Sequence, residues 1–451
     1  MPRRLHLRRR ADALHPPRRV RRLRRLRTGL PGRGHLLRGR RSRGVGGVHE
    51  GQRRLLRRPG LARWRRQGRQ GRLRRRARHE PPAAGRMTGL AGPRLPEFPW
   101  DSLTRLGEVA RAHPGGVVTL SVGTPVDPVP EVIREALASV SDVPGYPATH
   151  GTSELREAAV GALRRRHGVT GVDAEDVLPT IGSKELVAWL PTLLGVGPGD
   201  VVAIPELAYP TYEVGAQLVG AEVVRLAPGE APPAGTALMW VNSPSNPTGR
   251  VAGAEALASS VRAARALGAV VASDECYLAL GWDAQPVSVL NPEVSGGAFD
   301  GLLSVHSLSK TSNLAGYRAG FVTGDPALVR RLLEVRKHAG MIMPRPVQQA
   351  MVAALTDDEH MAVQRESYRR RRAVLRTALE GAGFTVEHSE AGLYLWATRG
   401  DDAWDTVEWL AERGILVAPG TFYGPDGGRH VRVALTASDE RIDTAAQRLS
   451  A

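Results

Sequence analysis

From Leu95 onward the chain alternates short aliphatic and β-branched runs with longer stretches whose apolar positions recur every three or four residues. Continuous apolar runs bounded by turn residues predict strands buried on both faces, and the amphipathic stretches predict the helices that cover them. Strands are predicted at 177–181, 201–204, 223–226, 237–241, 269–272 and 302–305, and helices at 183–194, 212–219, 254–267 and 326–337. This alternation builds an α/β domain on a largely parallel sheet. The pattern then changes: a long charged helix at 359–382, strands at 385–388 and 392–397, a helix at 404–413, and strands near Ile415 and at 431–435. These read as a separate α+β domain.

Charge changes the picture at the N-terminus. Residues 1–86 hold 31 Arg, no Lys and three acids, a net of +28, which leaves the rest of the chain at −10. The whole-chain isoelectric point of 11.0 therefore describes no folded unit. With Trp64 as its one aromatic and no sustained amphipathic period, this segment cannot bury enough apolar surface to offset its ordering entropy. A basic tail for nucleic acid or anionic lipid, a targeting peptide, and translated sequence upstream of the true start all compete. Abundant Arg without Lys favours the last, with Met87 as the alternative start. The expected organisation is 1–86 as this segment, 87–130 as an arm and substrate loop, 131–340 as a large cofactor-binding domain, and 341–451 as a small α+β domain.

A single cysteine, Cys276, excludes an internal disulfide framework and any multi-cysteine metal site; no metal is expected. No run reaches the ~18 apolar residues of a membrane span, and the N-terminus lacks the apolar core of a secretory signal. A cytoplasmic protein without membrane or nucleic-acid partners is the expectation.

Candidate chemistry collects where strands end, the place at which open α/β sheets present functional groups. Lys310, one of three lysines, follows the strand at 302–305 within Ser307-Leu308-Ser309-Lys310, and Arg318 comes eight residues later. Ser307 and Arg318 suit a phosphate, and the amine suits a covalent bond to an attached carbonyl; a plain surface lysine is the alternative. Asp274 and Tyr277 close the strand before it. A carboxylate there can hold a pyridine nitrogen protonated and a phenol can bond a ring hydroxyl, unless Asp274 is only a helix cap. Asn246 sits in the rigid turn Asn242-Ser243-Pro244-Ser245-Asn246-Pro247-Thr248-Gly249, where an immobile amide can bond a cofactor oxygen or simply stabilise the turn. Gly182-Ser183-Lys184 opens a helix after a strand, a phosphate-binding arrangement that is weak by itself.

In this order the motifs resemble those of class I pyridoxal-phosphate aminotransferases of fold type I, over about four fifths of the chain. The resemblance implies a fold type I transferase with a large mainly parallel-sheet domain and a smaller α+β domain, and pyridoxal 5′-phosphate as cofactor. It implies that Lys310 is the Schiff-base lysine and proton carrier, Asp274 the partner of the pyridine nitrogen, and Tyr277 and Asn246 the groups on the ring hydroxyl. Gly182, Ser183, Lys184 (through its backbone), Ser307 and Arg318 match the phosphate cup, and Tyr209 the ring-stacking aromatic. Tyr146 matches a residue reaching a neighbouring subunit's phosphate, which implies a homodimer. Arg432 matches the α-carboxylate arginine, and Gly123 the loop that closes over the substrate.

The strings Glu97-Phe98-Pro99-Trp100-Asp101, 179–194, 205–215 and Arg336-Lys337-His338-Ala339-Gly340-Met341 further resemble actinobacterial-type N-succinyldiaminopimelate aminotransferases of lysine and diaminopimelate biosynthesis. That resemblance implies small amino and keto acids as substrates. Other class I aminotransferases, of the aspartate or LL-diaminopimelate type, and a β-lyase on the same site are the alternatives. A regulator using the basic tail on nucleic acid needs a winged helix-turn-helix ahead of the body, and 1–86 shows no such pattern.

Overall fold

The computed structural model describes residues 95–450; the Arg-rich segment and the start expected at Met87 lie outside the described residues. A short arm strand, β1 (Val118–Thr119), precedes a seven-stranded sheet. Its strands are β2 (Val177–Ile181), β3 (Val201–Pro205), β4 (Glu222–Leu226), β5 (Thr236–Asn242), β6 (Val270–Asp274), β7 (Leu302–Ser307) and β8 (Ala319–Gly324). In space they run β2-β8-β7-β6-β5-β3-β4, with β8 antiparallel to both neighbours and the other pairs parallel.

Alternating residues explain the unbroken apolar runs. In β6 Val271 joins one hydrophobic cluster and Ala272 the other, and in β7 Leu302 and Leu303 divide the same way. Helices Glu131–Ser139, Ser153–His167 and Ala254–Ala266 cover the first face through Ile133, Leu155 and Leu257. Ser183–Leu194, Thr211–Val219 and Pro326–Ala339 cover the second through Leu186, Tyr212 and Leu332. Pro326–Ala339 starts where it does because the Asp325 carboxylate accepts the Ala327 and Leu328 N–H groups, with Pro326 at the first helical position.

One strand of the large sheet had no sequence signal. β8 reads Ala-Gly-Phe-Val-Thr-Gly, and its glycines lower strand propensity. They are required by packing: a Cβ on Gly320 would stand 2.9 Å from the His306 carbonyl oxygen and 3.1 Å from the Ser183 nitrogen.

The second unit contains β9 (Thr385–Glu387), β10 (Tyr394–Thr398), β11 (Ile415–Leu416), β12 (Ala418–Pro419) and β13 (Val431–Ala434). Four of these form an antiparallel sheet in the order β12-β13-β10-β9, while β11 pairs parallel with β1 of the arm. Helix Arg345–Thr356, on the far side of the expected 340/341 boundary, packs against Glu131–Ser139 and Ser153–His167 and shares the core of the large sheet. Among the described residues no helix is long and apolar enough to cross a membrane.

Buried Arg371, on helix Glu359–Gly381, ties distant segments together. Its Nη atoms donate to Asp127 at 2.6 and 2.8 Å, and its Nε donates to Asp439 at 2.6 Å. Burial works against the Asp127 charge, but the Arg371 and Gln364 hydrogen bonds outweigh it and hold the carboxyl below its usual range. Arg371→Leu should cost about 1.5–3 kcal/mol in urea unfolding at neutral pH. Because Asp127's folded pKa is lowered, its contribution is complete above the unfolded value of about 4 and is lost as pH falls through the folded value. The difference between wild type and variant should therefore shrink under acid conditions.

Candidate active site

The C-terminal ends of β5, β6 and β7 open into a cleft of about 460 Å³. Its walls include Gly123, Ser183, Lys184, Tyr209, Asn246, Asp274, Tyr277, Ser307, Lys310, Arg318 and Arg432, so residues scattered over three hundred positions converge. Tyr146 stands apart, 100% exposed in this single chain.

Asp274 ends β6 with its carboxylate buried. It accepts the Tyr212 hydroxyl at 2.8 Å and the Cys276 N–H at 3.2 Å. No helix starts there, so the capping role weighed for Asp274 is not the one it plays. Burial pushes its pKa up, and the hydrogen bonds from Cys276 and Tyr212 only partly counter this. A protonated ring nitrogen placed against it would restore the charge. Next to it, Asn242 donates to the Asp274 carbonyl at 2.9 Å and accepts the Asn246 N–H at 2.7 Å, which fixes the proline turn.

The helix Ser183–Leu194 begins at Gly182 with no side-chain cap, leaving first-turn N–H groups for an anion. Gly182 has φ +74°, and a Cβ there would stand 2.1 Å from an Arg318 guanidinium nitrogen. Ser307 and Ser309 line the same end of the cleft. Uncapped N–H groups, hydroxyls and a guanidinium suit a phosphate, and the buried carboxylate suits a pyridine nitrogen: the residues fit pyridoxal 5′-phosphate.

Lys310 Nζ donates to the Gly123 carbonyl, and Tyr368 donates to the Lys310 carbonyl at 3.2 Å. Arg432 is 2% exposed, which excludes a surface strand arginine. It donates to Asn246 Oδ1 and to the Ser121 carbonyl, each at 2.8 Å, and its guanidinium carbon lies 3.9 Å from the Tyr394 ring centroid and 4.8 Å from that of Tyr423. Among the described residues its Nε has no partner.

Several cleft residues escaped the sequence. Tyr212 lies one helical turn beyond Tyr209, stacked on Trp240 with centroids 4.7 Å apart, and that spacing was its only signal. Tyr394 meets the Tyr277 hydroxyl at 3.1 Å, and a Cβ on Gly123 would stand 2.2 Å from the Tyr394 hydroxyl. Burial works against ionisation of Tyr394, but Arg432 and Lys310 outweigh it and lower its pKa. Buried Cys276 has its Sγ 3.2 Å from the Ser183 hydroxyl.

The family model "Aminotransferase class I and II" matches residues 116–449. The chain belongs to this family. Class I aminotransferases of this fold depend on pyridoxal phosphate and act on amino and keto acids, and they are commonly homodimers. This aminotransferase is 58% identical to a protein named as a probable aminotransferase of Mycobacterium tuberculosis, over 89% of this chain and 99% of that one. It is 59% identical to a 4-dedimethylamino-4-oxo-anhydrotetracycline transaminase of Streptomyces rimosus, over 79% of this chain and 99% of the other. An aspartate aminotransferase of Thermus thermophilus superposes with a TM-score of 0.73 at 26% identity, covering 81% of this chain and 99% of that chain.

Gly182→Ala should force both the backbone and Arg318 to move. Losing one charge-assisted contact of this kind corresponds to about 10- to 100-fold weaker cofactor binding. Absorbance titration of apoprotein with pyridoxal 5′-phosphate measures it, and an unchanged affinity would remove Gly182 and Arg318 from the phosphate site.

Proposed function

We propose that this aminotransferase exchanges an amino group between glutamate and N-succinyl-2-amino-6-oxopimelate, giving N-succinyl-LL-2,6-diaminopimelate and 2-oxoglutarate. The observation that carries transamination of an α-amino acid is Arg432, a buried guanidinium with an unpartnered Nε in the cleft that also holds Lys310. Two of its five donors are engaged by Asn246 and Ser121, which aim the fork and leave the rest for a carboxylate. Support for the succinylated acceptor comes from the strings Glu97-Phe98-Pro99-Trp100-Asp101 and Arg336-Lys337-His338-Ala339-Gly340-Met341. A second reading, a polycyclic ketone acceptor, is favoured by the identity to the Streptomyces rimosus transaminase.

Pyridoxal 5′-phosphate, when bound, supplies an electron-withdrawing ring that acidifies the α-hydrogen of an attached amino acid. Gly182, Ser183, the Lys184 N–H, Ser307 and Arg318 would hold its phosphate, Tyr209 its ring face, Tyr277 and Asn246 its hydroxyl, and Asp274 its ring nitrogen. Lys310 would first anchor the cofactor and then, released, carry the proton away from the α-carbon. Arg432 holds the α-carboxylate so that this hydrogen faces the Lys310 amine. Gly123 lets the substrate loop lie close over the cleft. The exposed Tyr146 would complete the phosphate site of a second subunit in a cytoplasmic homodimer.

Purified protein supplied with glutamate and a panel of ketones, including the succinylated keto acid and a tetracycline-type ketone, separates the two acceptor readings by 2-oxoglutarate release. Ammonia and pyruvate formed from a β-substituted amino acid such as cysteine, with the thiol group released as sulfide, would show a lyase. Lys310→Ala should lose the visible absorbance of protein-bound cofactor and cut turnover by about 10³-fold or more. A borohydride-reducible adduct surviving in that variant would overturn its role. Arg432→Lys keeps the charge but loses the fork, and should raise KM for every amino donor by a similar factor. An effect confined to one substrate would move Arg432 away from the shared α-carboxylate.

A further inference from the structure

Helix Glu359–Gly381 buries a stripe of polar side chains where an apolar stripe would pack as tightly with no desolvation cost. His360, Gln364 and Tyr368 are spaced four apart, so they share one face of the helix, and all three are buried. Each bonds a different residue of the turn that carries Lys310. His360 Nε2 lies 2.9 Å from the Ser312 hydroxyl, Gln364 Oε1 accepts the Asn313 side-chain N–H at 2.8 Å, and the Tyr368 hydroxyl donates to the Lys310 carbonyl at 3.2 Å. On its other side the His360 ring meets Asp357, with Nδ1 2.7 Å from Oδ2. Ser312, His360 and Asp357 have the pairing of a nucleophile triad, but Ser312 is 1% exposed, which leaves no face for a substrate. The trio braces the turn instead.

The turn is one that needs bracing. Asn313 has φ +55°, a left-handed conformation that is costly for a residue with a Cβ, and the Ser312 and Leu314 N–H groups share the Leu308 carbonyl at 3.2 and 3.3 Å. The same helical stripe also holds the arm. Gln364 Nε2 donates to Asp127 Oδ2 at 2.8 Å, and the Asn313 side chain donates to the Pro128 carbonyl at 3.1 Å. Asp127 comes four residues after Gly123, and Asn313 three after Lys310, while the Gly123 carbonyl is the acceptor of Lys310 Nζ. Gln364 therefore closes a ring, one side chain anchoring both of the segments that meet at the amine. The position of that amine against the loop over the cleft is set from behind, by side chains that do not line the cleft.

We propose that His360, Gln364 and Tyr368 are positioning residues for the proton transfer at Lys310, holding the Lys310 turn and the Gly123 arm in one register so that the amine points at the α-hydrogen of the substrate. This rests on the transamination reading above. The competing role for the stripe is to stabilise the fold at large, and the test separates the two.

Tyr368→Phe removes one hydroxyl and Gln364→Met removes the shared amide, each with little change of shape. Val363→Gly, at a position 63% exposed on the same helix, weakens the helix without touching the stripe. In the apoproteins, amide hydrogen exchange at Ser312 and Leu314 should be about three- to tenfold faster in the two stripe variants than in wild type, the factor expected for one lost neutral hydrogen bond, and less affected in Val363→Gly. In the holoenzymes, the single-turnover rate constant for 2-oxoglutarate formation at saturating glutamate should fall by a similar factor, while the half-saturating glutamate concentration stays within about twofold. The isotope effect from 2-deuterated glutamate should be no smaller than in wild type, because the slowed step is the proton transfer itself. Unchanged exchange at the turn, an unchanged rate constant, a smaller isotope effect, or an equal effect of Val363→Gly overturns the proposal. A wild-type enzyme that transaminates no amino acid tested would defeat the transamination reading, while faster exchange confined to the stripe variants would still support their hold on the Lys310 turn.

Discussion

Asp274 puts a carboxylate that is only 7% exposed at the end of a strand in the middle of the large sheet, and burial there opposes its charge. Much of the cleft is built around that carboxylate. Tyr212 donates to it from a ring pinned against Trp240, the Cys276 N–H donates from the next turn, and Asn242 holds the carbonyl behind it. Two neutral donors and a backbone anchor fix its direction without satisfying its charge. A cationic nitrogen would satisfy it, and this is the physical basis for proposing Asp274 as the partner of a protonated pyridine.

Arg432 is the counterpart at the other end of the site. It sits on β13 of the small sheet, bonds Asn246 on a loop of the large sheet, and bonds Ser121 in the arm. Its guanidinium lies over the rings of Tyr394 and Tyr423, a setting in which delocalised charge is tolerated better than a compact ammonium would be. Three segments must be in register before this cation points into the cleft, and the same contacts set the distance between the two sheets at the site.

The regular elements were legible because both faces of the large sheet are buried and the covering helices keep their period. Lys310, Asp274, Asn246 and Ser183 were legible for a related reason: each lies at or a few residues beyond the C-terminal end of a strand, and in a parallel sheet those ends share one edge. What was hidden depends on pairing between distant segments. β8 is carried by glycines that packing demands and that propensity disfavours. Tyr394 reaches the cleft only because β10 pairs with β13. Helix Arg345–Thr356 shows a periodicity that does not reveal which of two cores it joins. Tyr146 carries a motif resemblance, but a single chain leaves it in solvent.

The arm also constrains how the molecule is assembled during synthesis. β1 pairs with β11, the Ala434 N–H donates to the Leu120 carbonyl, and Arg448 donates to the carbonyls of Gly115 and Gly116, the last of these contacts spanning 332 residues. Chains emerge from the ribosome N-terminus first, at about 5–20 residues per second. The large sheet can therefore form while the arm has nothing to pair with, and the arm docks only after the last strand and helix have been released. Lys310 and Asp274 are synthesised before Arg432 and can take their places before Arg432 and Ser121 meet, so the half of the cleft proposed to hold the cofactor can form earlier in a nascent chain than the half proposed to hold the substrate.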